Sequence, residues 1–238
     1  MILITLAGDS SRFFKEGYAQ VKYKLDYGDK SIIATIVDYI PRNEKLLIVL
    51  NKKYHDYDYI NNLLIQMRFR EYKIVEIENT IGQFDTVIQG LSNAKEFWTE
   101  NDSLTVYNGD TIRKINQWTY DECDGHIEVF HAEGNHWSFV DNIGVVKNVT
   151  EKQRISNYCS SGLYFFNKIK YIIDFGPEYM NSAIQECYVA PFYNVLINKG
   201  LIIKSDVEDI KHFVFCGTPN EYVESVKIKA FYEKPNSI

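Results

Sequence analysis

The chain has 238 residues, with 26 Lys+Arg against 32 Asp+Glu, a formal charge of −6. Apolar residues make up 45% and charged residues 24%, a globular composition that excludes disorder and gives enough chain for a sizeable core. An acidic balance without a Lys/Arg block excludes a nucleic-acid polymer as partner. The apolar opening, residues 1–4 and 6–7, is too short for a signal peptide or a membrane span.

The first strand is predicted at Ile2–Leu6, running into a small-residue loop from Ala7. A helix over 31–40, a buried strand over 45–50, an amphipathic helix over 53–68 and a strand at Tyr72–Ile77 follow. A helix over 83–97 and a strand over 103–107 complete this half. Strands alternating with helices predict an α/β fold with a doubly wound, mostly parallel sheet through about residue 112. The pattern then turns strand-rich, at Gly125–His131, Ser138–Val140, 144–150 and Tyr158–Phe166, which predicts an inserted mixed or antiparallel region. A helix over 179–198, strands over 201–205 and 212–215, and a last helix opening at Pro219 with Thr218 as cap are expected. The tail after residue 230 is short and polar and reads as loose. One domain over 1–238 is expected.

Cys123, Cys159, Cys187 and Cys216 have neither C-x-x-C spacing nor a His at zinc-finger intervals. They read as buried, reduced thiols of a cytoplasmic protein. His55, His126, His131, His136 and His212 show no ligand spacing either.

In open α/β sheets ligands sit at the carboxyl ends of the strands. The loop after the first strand supplies Gly8 for close backbone approach, the Ser10 and Ser11 hydroxyls, and the cations Arg12, Lys15 and Lys22. These make a phosphate cradle plausible. No Gly-Lys-Ser/Thr follows, so this is not a P-loop, and the second and third glycines of a dinucleotide fingerprint are missing. Asp110, after Val106, Tyr107, Asn108 and Gly109, puts a carboxylate at another strand end, where magnesium could sit or where a plain turn would suffice.

Read as ordered text, Leu6–Lys24 resembles the opening of the nucleotidyltransferases that make nucleoside-diphosphate sugars. Ala7, Gly8, Ser11, Arg12, Phe13, Gly17, Tyr18 and Lys22 match that pattern; Ser10 replaces its second Gly and Val21 the Pro before its lysine. The resemblance implies a Rossmann-like nucleotidyltransferase fold, with 1–112 as the nucleotide-binding half and 113–230 as the acceptor-binding half. It implies that Arg12 binds the leaving pyrophosphate, that Lys22 contacts the reacting phosphates, and that Asp110 holds Mg²⁺. Ala7, Gly8, Ser10, Ser11 and, from the stretch NTIGQFDT, Thr80, Gly82 and Gln83 would bind the nucleotide. Gly82 would permit close approach to the base, and Gln83 would donate and accept at its edge.

Three later segments, HWSFV from His136, EKQRIS from Glu151 and SSGLYFF from Ser160, resemble in order a subgroup found with surface-polysaccharide genes. The segment from Tyr188 to Asn194 is another of its marks. This implies an acceptor site of Trp137, Glu151, Lys152, Ser161 and Gly162, with Lys152 on the acceptor phosphate. Outside the resemblance, Glu151–Lys152 reads as a solvated charge pair and Trp137 as core. Gly217-Thr218-Pro219 is a further family mark, but Phe215 stands where many members carry a second acidic ligand. Asp206, Glu208 and Asp209 are the nearby candidates to replace it.

One member of the subgroup transfers cytidylyl to L-glutamine phosphate for capsule phosphoramidate synthesis, so the resemblance implies CTP and L-glutamine phosphate. A hexose or heptose 1-phosphate, with CTP, UTP, dTTP or GTP, remains the alternative, and a homodimer is left open. A regulatory nucleotide-binding protein without turnover is the competing class. A glycosyltransferase is disfavoured by the basic loop on the first strand.

Overall fold

A strand buried on both faces needs an apolar run without polar alternation, and the runs of the first half form the centre of the fold. In the computed structural model the described residues are 1–115, 117–182 and 186–232. The first half comprises β1 (Ile2–Leu6), α1 (Ser11–Lys15), the short pair β2 (Asp26–Tyr27) and β3 (Lys30–Ser31), α2 (Ile32–Asp38), β4 (Leu46–Asn51), α3 (Tyr57–Gln66), β5 (Tyr72–Ile77), α4 (Gln83–Ser92) and β6 (Leu104–Asn108). The second comprises β7 (Thr111–Arg113), β8 (Gly125–His131), β9 (Ser138–Val140), β10 (Gly144–Val145), β11 (Val149–Glu151), β12 (Tyr158–Phe166), α5 (Ile169–Ser182), α6 (Phe192–Asn198), β13 (Ile203–Val207), β14 (Phe213–Phe215) and α7 (Pro219–Tyr232).

The main sheet has the order β10-β13-β8-β12-β6-β1-β4-β5. From β6 to β5 every pairing is parallel, whereas β12 runs antiparallel to both β6 and β8. β9 and β11 form a side branch that joins the sheet through β12. Alternate residues of the central strands feed two cores. Leu3, Leu47, Val49 and Val75 pack with Phe84, Ile172 and Phe192 of α4, α5 and α6. Ile2, Ile4, Leu46 and Ile48 pack with Ile33 and Leu64 of α2 and α3 on the other face. This is the expected doubly wound α/β arrangement with a mixed region added at β12.

Local signals set several boundaries. Ser31 Oγ accepts the Ala34 N–H at 3.2 Å and caps α2. Thr218 and Glu221 exchange side-chain-to-backbone bonds at 3.3 and 2.9 Å around Pro219, a capping box that starts α7 where expected.

Other expectations are corrected. The helix expected over 179–198 is two helices: α5 starts ten residues earlier, at Ile169, and contains Pro177, and α6 begins after Pro191. The backbone of Cys187 is engaged with Ile81 and Phe84, so it cannot continue a helical ladder. The strand expected over 144–150 is two strands, β10 on β13 and β11 on β9. The helices expected over 53–68 and 83–97 shorten to α3 and α4, each flanked by a 3-10 turn, at Lys52–Tyr54 and Lys95–Phe97. The expectation of a loose tail falls, from residue 233 onward, outside the described residues. All four cysteines are buried and free. No helix among the described residues is long and apolar enough to cross a membrane.

Candidate active site

The carboxyl ends of β1 and β6 open into a cleft of about 650 Å³, which continues over the start of β12 to the side branch. Its lining brings together Gly8, Arg12, Lys22, Gln83, Asp110, Trp137, Glu151, Lys152, Ser161 and Gly162, residues far apart in sequence. Ala7, Ser10, Ser11, Thr80 and Gly82 lie outside the lining.

On the β1 side, Ser10 adopts a left-handed conformation, φ +49°, and its Oγ accepts the Lys22 N–H at 3.1 Å. The Ser10 hydroxyl thus closes the loop on itself and sets the backbone of Lys22. Ala7 is buried, and its carbonyl accepts Asn51 Nδ2 at 3.3 Å. Arg12 is exposed at the cleft wall, on α1. Lys22 Nζ lies 2.5 Å from Asp110 Oδ2, with both side chains about a quarter exposed (24% and 22%). A cation and a carboxylate therefore meet at the junction of the β1 loop and the β6 end.

Asp110 is anchored by its main chain, whose carbonyl accepts the Cys216 N–H at 2.8 Å. Burial pushes the Cys216 thiol up to about 12, so it stays protonated and inert at neutral pH. The Asp110 and Glu221 carboxylates flank Gly217: a Cβ there would lie 3.2 Å from Asp110 Oδ2 and 3.3 Å from Glu221 Oε2. Among the described residues no group of three or more His, Cys, Asp or Glu could hold a metal ion. A partly exposed carboxylate facing an open cleft nevertheless fits Mg²⁺, which takes one or two carboxylates and completes its shell with water and substrate phosphates.

The loop before α4 is arranged differently from its sequence reading. Gln83 Nε2 donates to Thr5 Oγ1 at 3.0 Å and to Asn108 Oδ1 at 2.5 Å. Its two donors are spent inside the protein, leaving the carbonyl oxygen for a ligand. Gly82 has φ +147°, and a Cβ there would lie 2.4 Å from the Cys187 carbonyl oxygen. The close approach it permits is to the chain's own backbone. Thr80 Oγ1 lies 2.9 Å from Thr86 Oγ1.

The opposite wall is carried by the side branch and β12. Lys152 sits at φ +56°, with its N–H on the Trp137 carbonyl at 2.9 Å. Its ammonium donates to the Tyr188 hydroxyl, lies 4.4 Å from the centre of that ring, and stands 3.9 Å from Glu151 Oε1. The Tyr188 hydroxyl in turn donates to Glu186. Burial raises the Glu151 carboxyl above its usual range, against a hydrogen bond from Ser138 and the charge of Lys152. Ser161 Oγ donates to Glu128 Oε1 at 2.7 Å, beneath the cleft floor. Glu128 is locked in a buried pair with Arg113, both side chains 1% exposed. Gly162, at φ +90°, leaves the space that Asn108 fills: a Cβ would lie 2.3 Å from Asn108 Nδ2.

None of the acids expected as a second metal ligand reaches the cleft lining. Asp206 pairs with His126 Nε2 at 2.7 Å, Glu208 faces His212 at 3.3 Å, and Asp209 caps the turn at Ile210–His212. Phe215 instead packs against Trp137 and Phe130. Sequence reasoning missed Asn108, His136, Glu186, Tyr188 and Glu221 as lining residues. Glu221 was readable as the acid of a T-x-x-E capping box; Glu186 has no local signal.

No family model matches the chain, and no curated protein matches it. Solved structures do. A nucleoside-diphosphate-sugar pyrophosphorylase from Vibrio cholerae RC9 is 33% identical over 95% of this chain and 100% of its own, with a TM-score of 0.88. A Bacillus anthracis protein described as a glucose-1-phosphate thymidylyltransferase, in complex with a sucrose, is 16% identical over 96% and 94% of the two chains, with a TM-score of 0.76. The inositol-1-phosphate CTP transferase from T. maritima is 13% identical over 98% and 97%, with a TM-score of 0.73. The last two share the fold. With the first, and with a basic loop and a strand-end carboxylate meeting in one cleft, the chain belongs to the nucleoside-diphosphate-sugar pyrophosphorylase family and is an enzyme of the nucleotidyltransferase type.

Proposed function

We propose that the enzyme couples a nucleoside triphosphate, CTP, to a phosphorylated acceptor that also carries an ammonium group, L-glutamine phosphate, for surface-polysaccharide modification. The observation that carries this reading is the charge on the acceptor wall. Glu151 and Glu186 stand with Lys152, two carboxylates to one cation. A phosphate on Lys152 beside an ammonium on the carboxylates matches that pattern. CTP itself rests on the resemblance of the His136–Phe166 region to the capsule-linked subgroup.

In this reading residues 1–112 hold the nucleotide and 113–230 the acceptor. An oxygen of the acceptor phosphate attacks the α-phosphorus. The new P–O bond forms as the bond to the bridging oxygen breaks, and the electron pair leaves with pyrophosphate. A phosphate is already ionised at neutral pH, so no general base is needed. The work is to align two anions and offset their charge. Lys22 and Lys152 approach the reacting phosphates from opposite walls, and Arg12 takes the leaving pyrophosphate. Mg²⁺, held by Asp110 with Glu221 at hand, would supply further charge neutralisation on the triphosphate. Gln83 offers its carbonyl oxygen to a donor on the base, such as an exocyclic amine.

A sugar 1-phosphate acceptor is the second reading, favoured by the 33% identity to the Vibrio cholerae pyrophosphorylase. Sugar hydroxyls would then donate to Glu151 and Glu186. Pyrophosphate release over a matrix of CTP, UTP, dTTP and GTP against L-glutamine phosphate and hexose 1-phosphates decides between them. Turnover with L-glutamine phosphate and CTP is expected. Turnover confined to sugar phosphates would overturn the first reading.

A further inference from the structure

Three observations converge on residues 186–188. First, Cys187 is stitched to the loop before α4 by two backbone bonds. Its N–H donates to the Ile81 carbonyl, and its carbonyl accepts the Phe84 N–H, both at 2.9 Å. Second, these bonds require Gly82. Any Cβ there would press on the Cys187 backbone, at 2.4 Å from the oxygen and 2.6 Å from the nitrogen, and φ +147° is a conformation L side chains rarely adopt. Third, the neighbours of Cys187 reach the other wall of the cleft. The Tyr188 hydroxyl sits between the Lys152 ammonium and Glu186, and the Tyr188 carbonyl accepts the Tyr179 hydroxyl at 2.8 Å.

We propose that residues 186–188 are a strap joining the nucleotide-side loop to the acceptor-side lysine, with Tyr188 as the positioning residue for Lys152. Lys152 stands on an exposed turn in a left-handed conformation, and a lysine side chain there has many rotamers to lose. A hydroxyl and an aromatic face on one side of its ammonium, and Glu151 on another, confine it. Because the strap is stitched to Ile81 and Phe84, the position of Tyr188 follows the loop that carries Gly82 and Gln83. Settling that loop settles the acceptor lysine, although Gly82 itself lies outside the cleft lining. The inference rests on the assignment of Lys152 to the acceptor.

The test measures the modification rate of the Lys152 amine by an amine-reactive reagent, read peptide by peptide by mass spectrometry. Wild type, Tyr188→Phe and Gly82→Ala are compared. Losing one hydrogen bond of ordinary strength predicts labelling about five-fold faster in Tyr188→Phe, with a clear increase in Gly82→Ala as well. An unchanged rate in a folded Gly82→Ala overturns the strap. If that variant does not fold, hydrogen exchange of the wild type in low urea takes its place. The Phe84 and Cys187 amides should open together with one denaturant dependence, and separate openings overturn it. In steady state, Tyr188→Phe should raise the acceptor KM by the same factor and leave the nucleotide KM alone. Faster labelling with an unchanged acceptor KM would leave the strap standing and refute the acceptor role of Lys152.

Discussion

Phe215 packs on Trp137 with ring centroids 5.0 Å apart and the planes at 59°. Phe130 joins them, 4.9 Å from Phe215, so the position where the resemblance implies an acid belongs here to an aromatic cluster in the cleft wall. A carboxylate placed there would lose these contacts and be partly desolvated. Phe215→Asp is expected to cost about 2 kcal/mol of stability, seen as a lower thermal midpoint, and not to raise activity at any magnesium concentration. Improved turnover at low magnesium would show that the position still acts as a ligand site.

The two walls of the cleft should respond differently to substitution. Lys22→Ala and Arg12→Ala are expected to lower kcat with every acceptor, by about 10²-fold if each removes one preorganised cationic contact to the reacting or leaving phosphates. Lys152→Ala should act mainly on the acceptor KM. Initial rates of pyrophosphate release with each substrate varied in turn separate the two patterns. Full activity in all three variants would refute the assignment.

The buried pair beneath the floor makes a stability prediction. Arg113 Nε lies 2.9 Å from both Glu128 oxygens, and Arg113 Nη1 donates to the Ile115 carbonyl at 2.8 Å. Arg113→Met leaves the buried Glu128 with the Ser161 hydroxyl but without its ion-pair partner, at a cost of about 3–5 kcal/mol. Adding Glu128→Leu should recover most of that loss, although Ser161 then lacks its acceptor. Urea unfolding of the two single variants and the double variant measures the coupling.

Glu151 makes a prediction about pH. Burial raises its carboxyl above the ordinary value of 4.5, so the folded chain holds this proton more tightly than the unfolded chain. Stability from this group is therefore largest at low pH and falls as pH rises from 4.5 through the raised value. Glu151→Gln removes the titration. Its thermal midpoint relative to wild type should rise across that window and then level. A constant difference at all pH values would mean that the carboxyl is not perturbed.

The central strands were legible because burial on both faces leaves only apolar residues, as in Leu46–Leu50, all fully buried. The charged candidates Arg12, Lys22, Asp110, Glu151 and Lys152 were picked out as ordered text, and the fold brings them to one cleft. What escaped depended on contacts distant in sequence. The helix expected from 179 begins at Ile169 and passes through Gly176 and Pro177, with Gly176 fitting so closely that a Cβ would lie 2.9 Å from Ile88 Cδ1. Gln83 reads as free to donate, but Thr5 and Asn108 claim its amide. Tyr188 was visible only as one letter of a matching segment, since its partner Lys152 is 36 residues away.

The branch of β9 and β11 has a mechanical consequence. Among the described residues its only ladder pairing with the main sheet is to β12, yet it carries Trp137's neighbour Ser138 and Glu151. Asp110, by contrast, follows β6, next to β1 in the all-parallel ladder. The cleft thus has one jaw built into the parallel ladder and one built on a branch. In the proposed reading the ladder jaw holds the triphosphate, the group common to every nucleoside triphosphate. In the same reading the branch can be recut by a few substitutions that leave the β1–β6 pairing untouched, so acceptor preference could drift while the donor chemistry stays fixed.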